Sequence, residues 1–516
     1  MAIWRFFTNK WYLGLVSFLA VSLVFGVIYA QSPLYTSNQN AYFLHGLANA
    51  GYGYLKLDWL ARRKESMPVF SWLVTLTYNV FHSKVPFYIY YALLMGVYLC
   101  SMFGIMDQMF DLRKSKTRTL VFLTLFLGAH SAALRFVLSR LVSADSTFLL
   151  EGGVAGQRIL GQVFQPSVFG VFLVLSIYLF MHDRSFWSLV PIAVAVYFHP
   201  VYLLGGALLT IAYMWVIFHT EHNLKKSLLL GMVSLLLVAP ALIYSILLFW
   251  DPNPVIAQEA LDVLVNFRNP QHALVSSWLD WTVLVQALIL LTGLFIIRKS
   301  KLFAILLIVT SGVLILTIIQ IVTASEWLAM IFPWRVSVVL VPTGTTILIA
   351  YGVTKFMDRL KEPGKVGFWL RLSSVLVLVG LMLAGAIRFQ IESARQKADP
   401  ALPMMTYVAA HKSPTDIYLV PPKMENFRLV TGAPILVDFK SAPDRDKDVM
   451  SWYTRLQWNS WFYQGSDPCK TVLDIAHKYR VTRVVTEKDY APTVCASLPI
   501  VYEDTIYRIY ALPAKK

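Results

Sequence analysis

The sequence has few charged residues and only three cysteines in 516 residues. Only 14% of the residues are charged, 57% are hydrophobic, and the mean hydropathy is +0.59. Because soluble domains carry about 25% charged residues, this deficit places most of the chain in lipid. The patterns H-E-x-x-H, Walker A and G-x-S-x-G do not occur, so metalloprotease, ATPase and hydrolase functions have no support.

The hydrophobic residues form eleven runs, and a spanning helix needs about 20 such residues. The runs lie near 11–30, 86–106, 119–134, 163–181, 186–199, 201–218, 227–250, 280–297, 302–322, 336–354 and 369–388. We therefore predict an all-α polytopic membrane protein with about 11 transmembrane helices. The first run is interpreted as an uncleaved span because no clear small-residue cleavage site follows it. The apolar stretch 68–82 is expected to be a re-entrant or interfacial helix.

The distribution of Lys and Arg predicts the orientation of the chain. Counted from an inside start, the inside segments hold 17 basic residues in 54 positions, and the outside loops hold 10 in 125. Cytoplasmic loops are enriched in Lys and Arg, so we predict a plasma (inner) membrane protein with a cytoplasmic N-terminus and an extracytoplasmic C-terminus. The net charge of +16 follows from this bias and a basic tail, and no nucleic-acid partner is expected.

Two domains are predicted. Residues 1–388 form the transmembrane unit, with a large first outside loop at 31–85, and residues 389–516 form a small α/β domain. Enrichment in β-branched and aromatic residues predicts strands in the tail domain, and 3.6-residue spacing predicts helices. The strands are expected at 416–422, 433–439, 481–487 and 498–512, and the helices at 448–462 and 469–480.

The three cysteines divide between these domains. Cys100 lies in an apolar run and is expected to be a small core residue. Cys469 and Cys495 both lie in the predicted outside domain, where a disulfide between them can persist. Two free thiols on the same side are the alternative.

Polar and ionisable residues gather in the predicted outside segments, and such residues at membrane depth tend to be functional. In the first loop the candidate substrate-binding residues are Asn38, Tyr42 and Trp59. The later segments contribute Arg140, Gln157, Arg158, Arg268, His272 and Arg335. We expect these segments to enclose one pocket at the extracytoplasmic rim.

Asp58 is the first candidate catalytic base. It lies between apolar neighbours in Leu57-Asp58-Trp59, where a partly desolvated carboxylate could take a proton from an acceptor hydroxyl. The alternative is an ion pair with Arg62, one helical turn later. Glu65, just before Met67-Pro68, is the second candidate.

The arginines are candidate phosphate ligands. Arg158 follows a glycine-rich segment beginning at Gly152, and glycines let the backbone approach a ligand closely. Arginine holds phosphate bidentately. Arg335, after Pro333-Trp334, and the pair Arg268 and His272 have similar settings, although interfacial anchoring explains the arginines equally well. His45 and His199 have no partner at metal-ligand spacing and are expected to be buried, satisfied histidines.

This arrangement resembles the GT-C superfamily of membrane glycosyltransferases, with a layout like that of the protein mannosyltransferases. The resemblance rests on the inside N-terminus, the span count, the large first outside loop and the outside C-terminal domain. Met67-Pro68-Val69-Phe70 with Leu57-Asp58-Trp59 is similar to a second motif of that loop. Asn38-Gln39 stands where such members carry an Asp-Glu pair. Either Asp58 or Glu65 has then taken the catalytic role, or the protein is not a transferase.

The resemblance implies transfer of a sugar from a polyprenyl-phosphate carrier to a glycan, lipid or protein acceptor in the cell envelope. Arginines would bind the carrier phosphate, and a carboxylate would take the acceptor proton. Some members use a divalent metal (Mg²⁺ or Mn²⁺), although no acidic pair here favours one. The alternatives are a lipid-linked saccharide polymerase, ligase or flippase, or a non-catalytic assembly protein for an envelope polysaccharide.

Overall fold

The structure, a computed structural model, describes residues 11–249, 252–360, 364–489 and 498–513. The chain divides into two compact units. Unit 1 comprises Met1–Gln31, Phe87–Tyr244 and Val265–Gln390, and unit 2 comprises Ser32–Pro86, Ser245–Leu264 and Ile391–Lys516. Each unit is therefore assembled from three separate stretches of sequence.

Long apolar helices dominate unit 1. Among the described residues, six helices are long and apolar enough to cross a membrane: Val85–Phe110, Tyr202–Glu221, Leu224–Phe249, Lys301–Thr323, Glu326–Arg359 and Gly364–Lys397. Two further helices, Lys116–Ala129 and Ala132–Leu141, meet at 50° and together have the length and composition of a seventh span. The prediction of a helical, membrane-embedded protein is confirmed.

The count of eleven spans stays a prediction. Each of the eleven apolar runs contains a helix, but four of these helices have apolar stretches of only 10–17 residues: Gly14–Tyr29, Pro166–Met181, Leu189–Phe198 and Trp281–Ile296. A straight helix rises 1.5 Å per residue, so these are shorter than a bilayer core of about 30 Å unless flanking turns extend them.

The helix Ser337–Arg359 is the longest part of the span Glu326–Arg359 and is packed inside unit 1. Every residue from Ser337 to Ile347 is buried, as expected for a helix surrounded by others on all sides. It packs closely on Trp281–Ile296 at two glycines. A Cβ built on Gly293 would lie 3.2 Å from the Cα of Gly344, and small residues allow such close helix packing.

Unit 2 contains a four-stranded sheet. The strands are β1 (Tyr418–Leu419), β2 (Arg483–Glu487), β3 (Ile500–Glu503) and β4 (Tyr507–Ala511). Their order is β1-β2-β4-β3, with β1 parallel to β2 and the other two pairs antiparallel. A core that includes Met404, Phe427, Ile435, Val485 and Ile509 packs within this unit.

The helices of unit 2 come from all three of its stretches. Those of five residues or more are Leu44–Asn49, Pro68–Phe81, Pro254–Asp262, Leu402–His411, Phe427–Thr431, Asp446–Gln464 and Pro468–Tyr479. The Pro468–Tyr479 helix begins where its sequence predicts, since the Asp467 side chain accepts a hydrogen bond from Lys470 N and proline occupies the first turn. With 14 residues, Pro68–Phe81 is shorter than a full span.

The predicted strand at 433–439 was wrong. This segment makes only an isolated bridge, between Tyr418 and Ile435. Pro434 has no N–H to donate to a ladder, and Asp438 accepts a hydrogen bond from Ser441 N at 2.7 Å, which turns the chain away. The other predicted strand segments contain β1 to β4.

The segment predicted as the first outside loop groups with the C-terminal segment, and the division into the two predicted domains stays a prediction. Residues 32–86 belong to the same compact unit as the C-terminal segment, not to the unit of apolar helices. Tyr54 N donates to Gly432 O at 2.7 Å, and Gly53, at a φ of +55°, faces the Gly432 backbone with no room for a Cβ. Hydrogen bonds and ion pairs far apart in sequence, described below, explain this association.

Candidate functional site

In unit 1, a glycine-containing loop at 149–158 (the 149–158 loop) is held by side chains of two helices. Ser337 Oγ accepts from Val154 N at 2.8 Å, and Thr345 Oγ1 donates to Leu150 O at 2.8 Å. From the helix Trp281–Ile296, Gln286 Nε2 donates to Leu149 O at 3.4 Å. The loop is therefore fixed against the two helices that pack closely through glycine.

The loop turns through left-handed backbone. Ala155 and Gly156 have φ values of +60° and +63°, a region that glycine adopts without strain and other residues rarely adopt. At Gly153 the constraint is space rather than φ, because an added Cβ would lie 2.6 Å from Val338 N and 2.8 Å from the Ser337 carbonyl carbon. The glycines of this segment thus permit both the turn and the close approach to the helix.

Glu151 of the loop forms a buried ion pair with Arg135. Arg135 Nη1 lies 3.0 Å from Glu151 Oε1, and the same guanidinium donates to the carbonyl oxygens of Tyr29 and His130. Burial raises the pKa of Glu151 to about 7, against the lowering effect of Arg135. The pair holds one carboxylate oxygen of Glu151 in place.

Arg158 is the last residue of the loop and, unlike Arg135, it contacts an aromatic ring instead of a carboxylate. Its guanidinium lies 3.8 Å from the centre of the Phe148 ring, and burial lowers its pKa. A Cβ on Gly161 would lie 3.7 Å from Arg158 Nε and 3.2 Å from Gln165 Nε2, so two donor groups converge on a glycine. Within the described ranges no carboxylate lies in ion-pair contact with Arg158.

Arg335 contacts a histidine instead of a carboxylate. Its Nη2 lies 3.4 Å from His199 Nε2, and since guanidinium only donates, the imidazole nitrogen accepts and His199 is neutral. Arg335 Nε is buried with no hydrogen-bond partner in the part of the chain that the structure describes. A buried donor of this kind costs free energy unless a ligand satisfies it.

His272 lies where the arginine charges converge. Burial first, and then the charges of Arg335, Arg268 and Arg158, hold its pKa down to about 4. Its Nδ1 bonds to Ala155 O at 2.9 Å, which assigns the proton to Nδ1 and leaves Nε2 as an acceptor. Three arginines around a neutral histidine form a site suited to an anion with planar or tetrahedral oxygens.

The structure thus brings together four of the predicted substrate-binding residues in unit 1: Arg158, Arg268, His272 and Arg335. Gln157 is adjacent and buried, with 4% of its surface exposed. Arg140 is not brought into this group. It is exposed on the helix Ala132–Leu141, with its guanidinium over the ring of Phe136 at 5.8 Å.

The other predicted residues lie in unit 2, where Asp58 is fully buried in an ion-pair network. Arg428 Nε lies 2.8 Å from Asp58 Oδ2, and Arg428 Nη1 pairs with Asp438. The backbone N–H groups of Leu60 and Ile435 donate to Asp58 at 2.9 and 3.1 Å. Both carboxylate oxygens of Asp58 therefore accept hydrogen bonds from within unit 2.

This geometry corrects the alternative weighed for Asp58 from the sequence. The expected ion-pair partner, Arg62, is exposed and donates instead to Lys56 O at 3.2 Å. The partner is Arg428, 370 residues along the chain. Local spacing pointed to a helical pair, but the segment after Asp58 is not helical, since Asp58 has extended backbone. The catalytic role of Asp58 stays a prediction.

Glu65, the second candidate base, is partly buried and contacts a serine and a histidine. Ser71 Oγ donates to it at 2.5 Å, and His45 Nδ1 lies 3.7 Å away. Burial raises the pKa of Glu65 to about 8 and lowers that of His45 to about 4. Near neutral pH both groups are therefore uncharged, and their contact is not an ion pair. Asp444, whose pKa burial raises to about 6, accepts from Ser66 N at 2.7 Å.

The remaining predicted residues of the first loop, Asn38, Tyr42 and Trp59, are half-buried. Asn38 precedes the short helix Gln39–Tyr42 without a side-chain cap, and Tyr42 is half-buried. Gln39 is fully buried, and its Oε1 accepts from Thr36 N at 3.4 Å. Trp59 lies under the guanidinium of Arg455, 4.4 Å from its ring centre.

A divalent metal finds no fitting site among the described residues, since they contain no group of three or more His, Cys, Asp or Glu side chains able to hold one. Cys100 is a free, buried thiol. Cys495 lies outside the described residues, so its predicted disulfide with Cys469 stays a prediction.

Sequence reasoning missed three residues that organise these sites: Arg135, Gln286 and Arg428. Each is a polar residue inside an apolar helical stretch, as in Phe427-Arg428-Leu429. A buried polar residue requires partners, so this setting was a signal that each contacts another buried polar group. The identity of the partner, far away in sequence, could not be found from spacing.

Comparisons with known proteins add two findings. The family described as "Domain of unknown function (DUF6798)" matches residues 400–458, a stretch that contains Arg428 and Asp438. Among solved structures, the chain is similar to ArnT from Cupriavidus metallidurans bound to undecaprenyl phosphate, at 12% identity and a TM-score of 0.46, covering 96% of this chain and 97% of that one. No curated protein matches the sequence.

Proposed function

We propose that the chain is an integral membrane glycosyltransferase that moves a sugar from a polyprenyl-phosphate carrier to an acceptor outside the cytoplasm. The observation that carries this proposal is the arginine group of unit 1, in which the charges of Arg335, Arg268 and Arg158 all act on a neutral His272. A protein of apolar helices has little reason to bury cations without an anion, because burying a charge is costly unless it is paired. A lipid phosphate supplies that anion.

The reaction would proceed by displacement at the anomeric carbon. An acceptor oxygen forms a bond to that carbon, the bond to the carrier phosphate breaks, and the electron pair leaves on the phosphate oxygen. Arg158 and Arg335 would stabilise the charge that develops there. The acceptor proton passes to a carboxylate, and the sugar is transferred with inversion.

The sequence analysis names two carboxylates for the proton, Asp58 and Glu65, and we favour Glu65. Its pKa of about 8 leaves a minor ionised fraction at neutral pH that can take the proton, and a group whose pKa is near the operating pH is an effective general base. Asp58 would have to give up hydrogen bonds from Arg428, Leu60 and Ile435 to act as a base. No step through a divalent metal is included in this mechanism.

Lipid binding by the purified full-length protein tests the phosphate site. The wild type is expected to bind undecaprenyl phosphate more tightly than undecaprenol, which has the same chain without the phosphate. Arg158→Gln and Arg335→Gln should each weaken binding of the phosphate lipid roughly tenfold, the scale of a lost charged hydrogen bond. Equal affinity of the wild type for the two lipids would contradict the proposal.

Arg298→Gln is the matched control. Arg298 also lies over a phenylalanine ring, that of Phe295 at 4.4 Å, but it is exposed and outside the arginine group. Its replacement should leave the affinity for undecaprenyl phosphate unchanged. A loss equal to that of Arg158→Gln would mean that general positive charge, and not this site, attracts the lipid.

A non-catalytic assembly protein is the second candidate. Asn38-Gln39 supplies amides where the resembled family has acids, and the carboxylate of Asp58 is fully engaged. Incubation with undecaprenyl-phosphate-linked radiolabelled sugar and a membrane extract of acceptors separates the two. A transferase releases undecaprenyl phosphate and labels an acceptor, and Glu65→Gln abolishes this. An assembly protein, or a flippase, leaves the donor bond intact.

A further inference from the structure

Besides Gln165 Oε1, which lies outside the 149–158 loop, three buried acceptor oxygens of unit 1 on or beside that loop have no hydrogen-bond partner in the described ranges. They are Glu151 Oε2, Gln157 Oε1 and Gln286 Oε1, and the exposed fractions of the three residues are 5%, 4% and 4%. Leaving a buried acceptor unsatisfied costs about 1–3 kcal/mol. Unsatisfied polar atoms also occur elsewhere in the described residues, so it is the gathering of three acceptors at one loop that points to a ligand.

The other polar ends of Glu151 and Gln286 are anchored, which fixes the direction of their unsatisfied oxygens. Glu151 Oε1 is held by Arg135 at 3.0 Å. Gln286 Nε2 faces the carbonyl oxygens of Leu149 and Gly153 at 3.4 and 3.5 Å. Since a carbonyl accepts only from the amide nitrogen, the amide of Gln286 cannot be flipped, and its oxygen points away from the loop carbonyls.

The three residues belong to one small region. Glu151 and Gln157 both lie on the 149–158 loop, and Gly153 N donates to Gln157 O at 2.7 Å, which closes the loop. Gln286 reaches the same loop on both sides of Glu151 through Leu149 and Gly153. The next residue after Gln157 is Arg158, so these acceptors lie beside the arginine group.

A cation is a poor occupant for these oxygens. The charge of Glu151 is already matched by Arg135, and Arg158 follows Gln157 directly, so the oxygens lie beside a positive charge that no described carboxylate pairs. A ligand that satisfies several acceptors next to arginines must bring neutral hydrogen-bond donors attached to an anion. Hydroxyl groups on a phosphate-linked sugar have this combination of properties.

We propose that Glu151 Oε2, Gln157 Oε1 and Gln286 Oε1 accept hydrogen bonds from the ring hydroxyls of the sugar whose phosphate the arginine group binds. This inference rests on the proposed function and assigns the sugar specificity of the same site. The three residues are positioning residues: they orient the sugar ring and select for hydroxylated sugars, without taking part in proton transfer.

The test compares two lipids on the purified full-length protein. One is undecaprenyl phosphate, and the other is the same lipid carrying a neutral hexose, measured separately with glucose, mannose and galactose. The wild type should bind at least one glycosylated lipid more tightly than the bare one. Gln157→Met and Gln286→Met should each reduce that preference about threefold to tenfold, as expected for one lost hydrogen bond, and Gln157→Met, which removes no bond that holds the loop, should leave the affinity for bare undecaprenyl phosphate unchanged.

Gln108→Met is the matched control. Gln108 is also a glutamine of unit 1, but its Nε2 donates to Met181 O at 2.8 Å and it has no contact with the loop. It should retain the full preference for the glycosylated lipid. Thermal unfolding of each variant in detergent identifies any variant that binds poorly only because it does not fold, and Gln157→Asn then serves as a second, smaller change.

The outcomes separate this inference from the function on which it rests. If the wild type binds neither lipid more tightly than undecaprenol, the phosphate site itself fails. If it binds both phosphate lipids with equal affinity, the phosphate site stands and the sugar subsite is overturned. The subsite is also overturned if the glutamine variants keep the sugar preference of the wild type.

Discussion

At the scale of single residues, the arginines fall into two classes that look alike in the sequence. Arg428 is buried against two carboxylates, those of Asp58 and Asp438. Arg158 and Arg335 are largely buried beside an aromatic ring and a histidine. The first arrangement holds a fold together, and the second leaves charge available to a ligand. Arg335 and Arg428 each lie between two apolar residues in sequence, so only their spatial partners distinguish the two classes.

Removing Arg428 should destabilise unit 2 much more than removing Arg62. Arg428→Gln leaves two buried carboxylates without their cation, and breaking a buried pair in this way costs about 3–5 kcal/mol. Arg62→Gln removes only an exposed hydrogen bond to Lys56 O. Thermal unfolding of the detergent-solubilised protein should show a large fall in Tm for the first variant and little for the second. Equal Tm values for the two variants would show that the ion pair between Arg428 and Asp58 does not stabilise unit 2.

Glu65 should make stability depend on pH. Its pKa is raised from 4.5 to about 8 by burial, so above pH 4.5 the unfolded chain loses a proton that the folded protein keeps. The free energy of unfolding therefore falls as pH rises toward 8, by up to about 1.4 kcal/mol per pH unit. Glu65→Gln removes this contribution, so the Tm of the variant should rise relative to that of the wild type between pH 5 and pH 8.

The exposed Glu259 of the same unit provides the control for this measurement. Glu259→Gln should shift Tm by a similar small amount at every pH. Asp444, whose pKa is also raised by burial, adds a slope of the same sign below about pH 6 in all three proteins. A variant-to-wild-type difference that is constant with pH would show that the carboxyl of Glu65 titrates normally.

At the scale of elements, the 149–158 loop shows how far glycine patterns can be interpreted. The sequence indicated that glycines let the backbone near Arg158 approach something closely. In the structure that partner is, in part, the helix Ser337–Arg359, whose Ser337 accepts from Val154 N. The kind of loop was predictable from composition. Its docking surface was not, because nothing local in the sequence specifies which helix it meets.

Gly153→Ala should displace this loop. Its Cβ would come within 2.6 Å of Val338 N and 2.8 Å of the Ser337 carbonyl carbon, and backbone atoms cannot move aside as a flexible side chain can. We expect the hydrogen bond from Val154 to Ser337 to break and undecaprenyl phosphate to bind at least several-fold more weakly. Gly128→Ala is the control, since its Cβ would meet only Leu381 Cδ1 at 3.9 Å. Unchanged binding of undecaprenyl phosphate by Gly153→Ala would show that the 149–158 loop is not part of the phosphate site.

Elements with strong local signals were predicted well, and those defined by distant contacts were not. The helices Asp446–Gln464 and Pro468–Tyr479 fall where apolar spacing predicted them. The segment 433–439 has strand-like composition, yet it serves to bring Asp438 to Arg428. A requirement for buried charge pairing overrode β propensity there, which single-sequence patterns do not contain.

At the scale of the whole molecule, hydrophobicity predicted the membrane character but not the division into units. Apolar runs are a local property, so their helices follow from composition. The grouping of 32–86 with 391–516 depends on Asp58 and Arg428, which are 370 residues apart. The same limit applies to the candidate site: residue types suggested Arg158, Arg335 and His272, whereas their convergence became visible only in three dimensions.

The C-terminal segment should therefore be less stable alone than its length suggests. Without 32–86, residues 391–516 would keep Arg428 with only one of its two carboxylates, and Ile435 N and Gly432 O would lose their partners. Together these losses amount to several kcal/mol, comparable to the whole stability of a small domain.

Segment 391–516 expressed alone should show broad, low-temperature unfolding, and co-expression with 32–86 should raise its Tm and protect the amide of Ile435 from hydrogen exchange. Asp58→Asn in the co-expressed segment should abolish most of this gain, because the amide nitrogen of asparagine cannot accept from Arg428 or Ile435. An equal Tm with and without 32–86 would instead identify 391–516 as an autonomous domain.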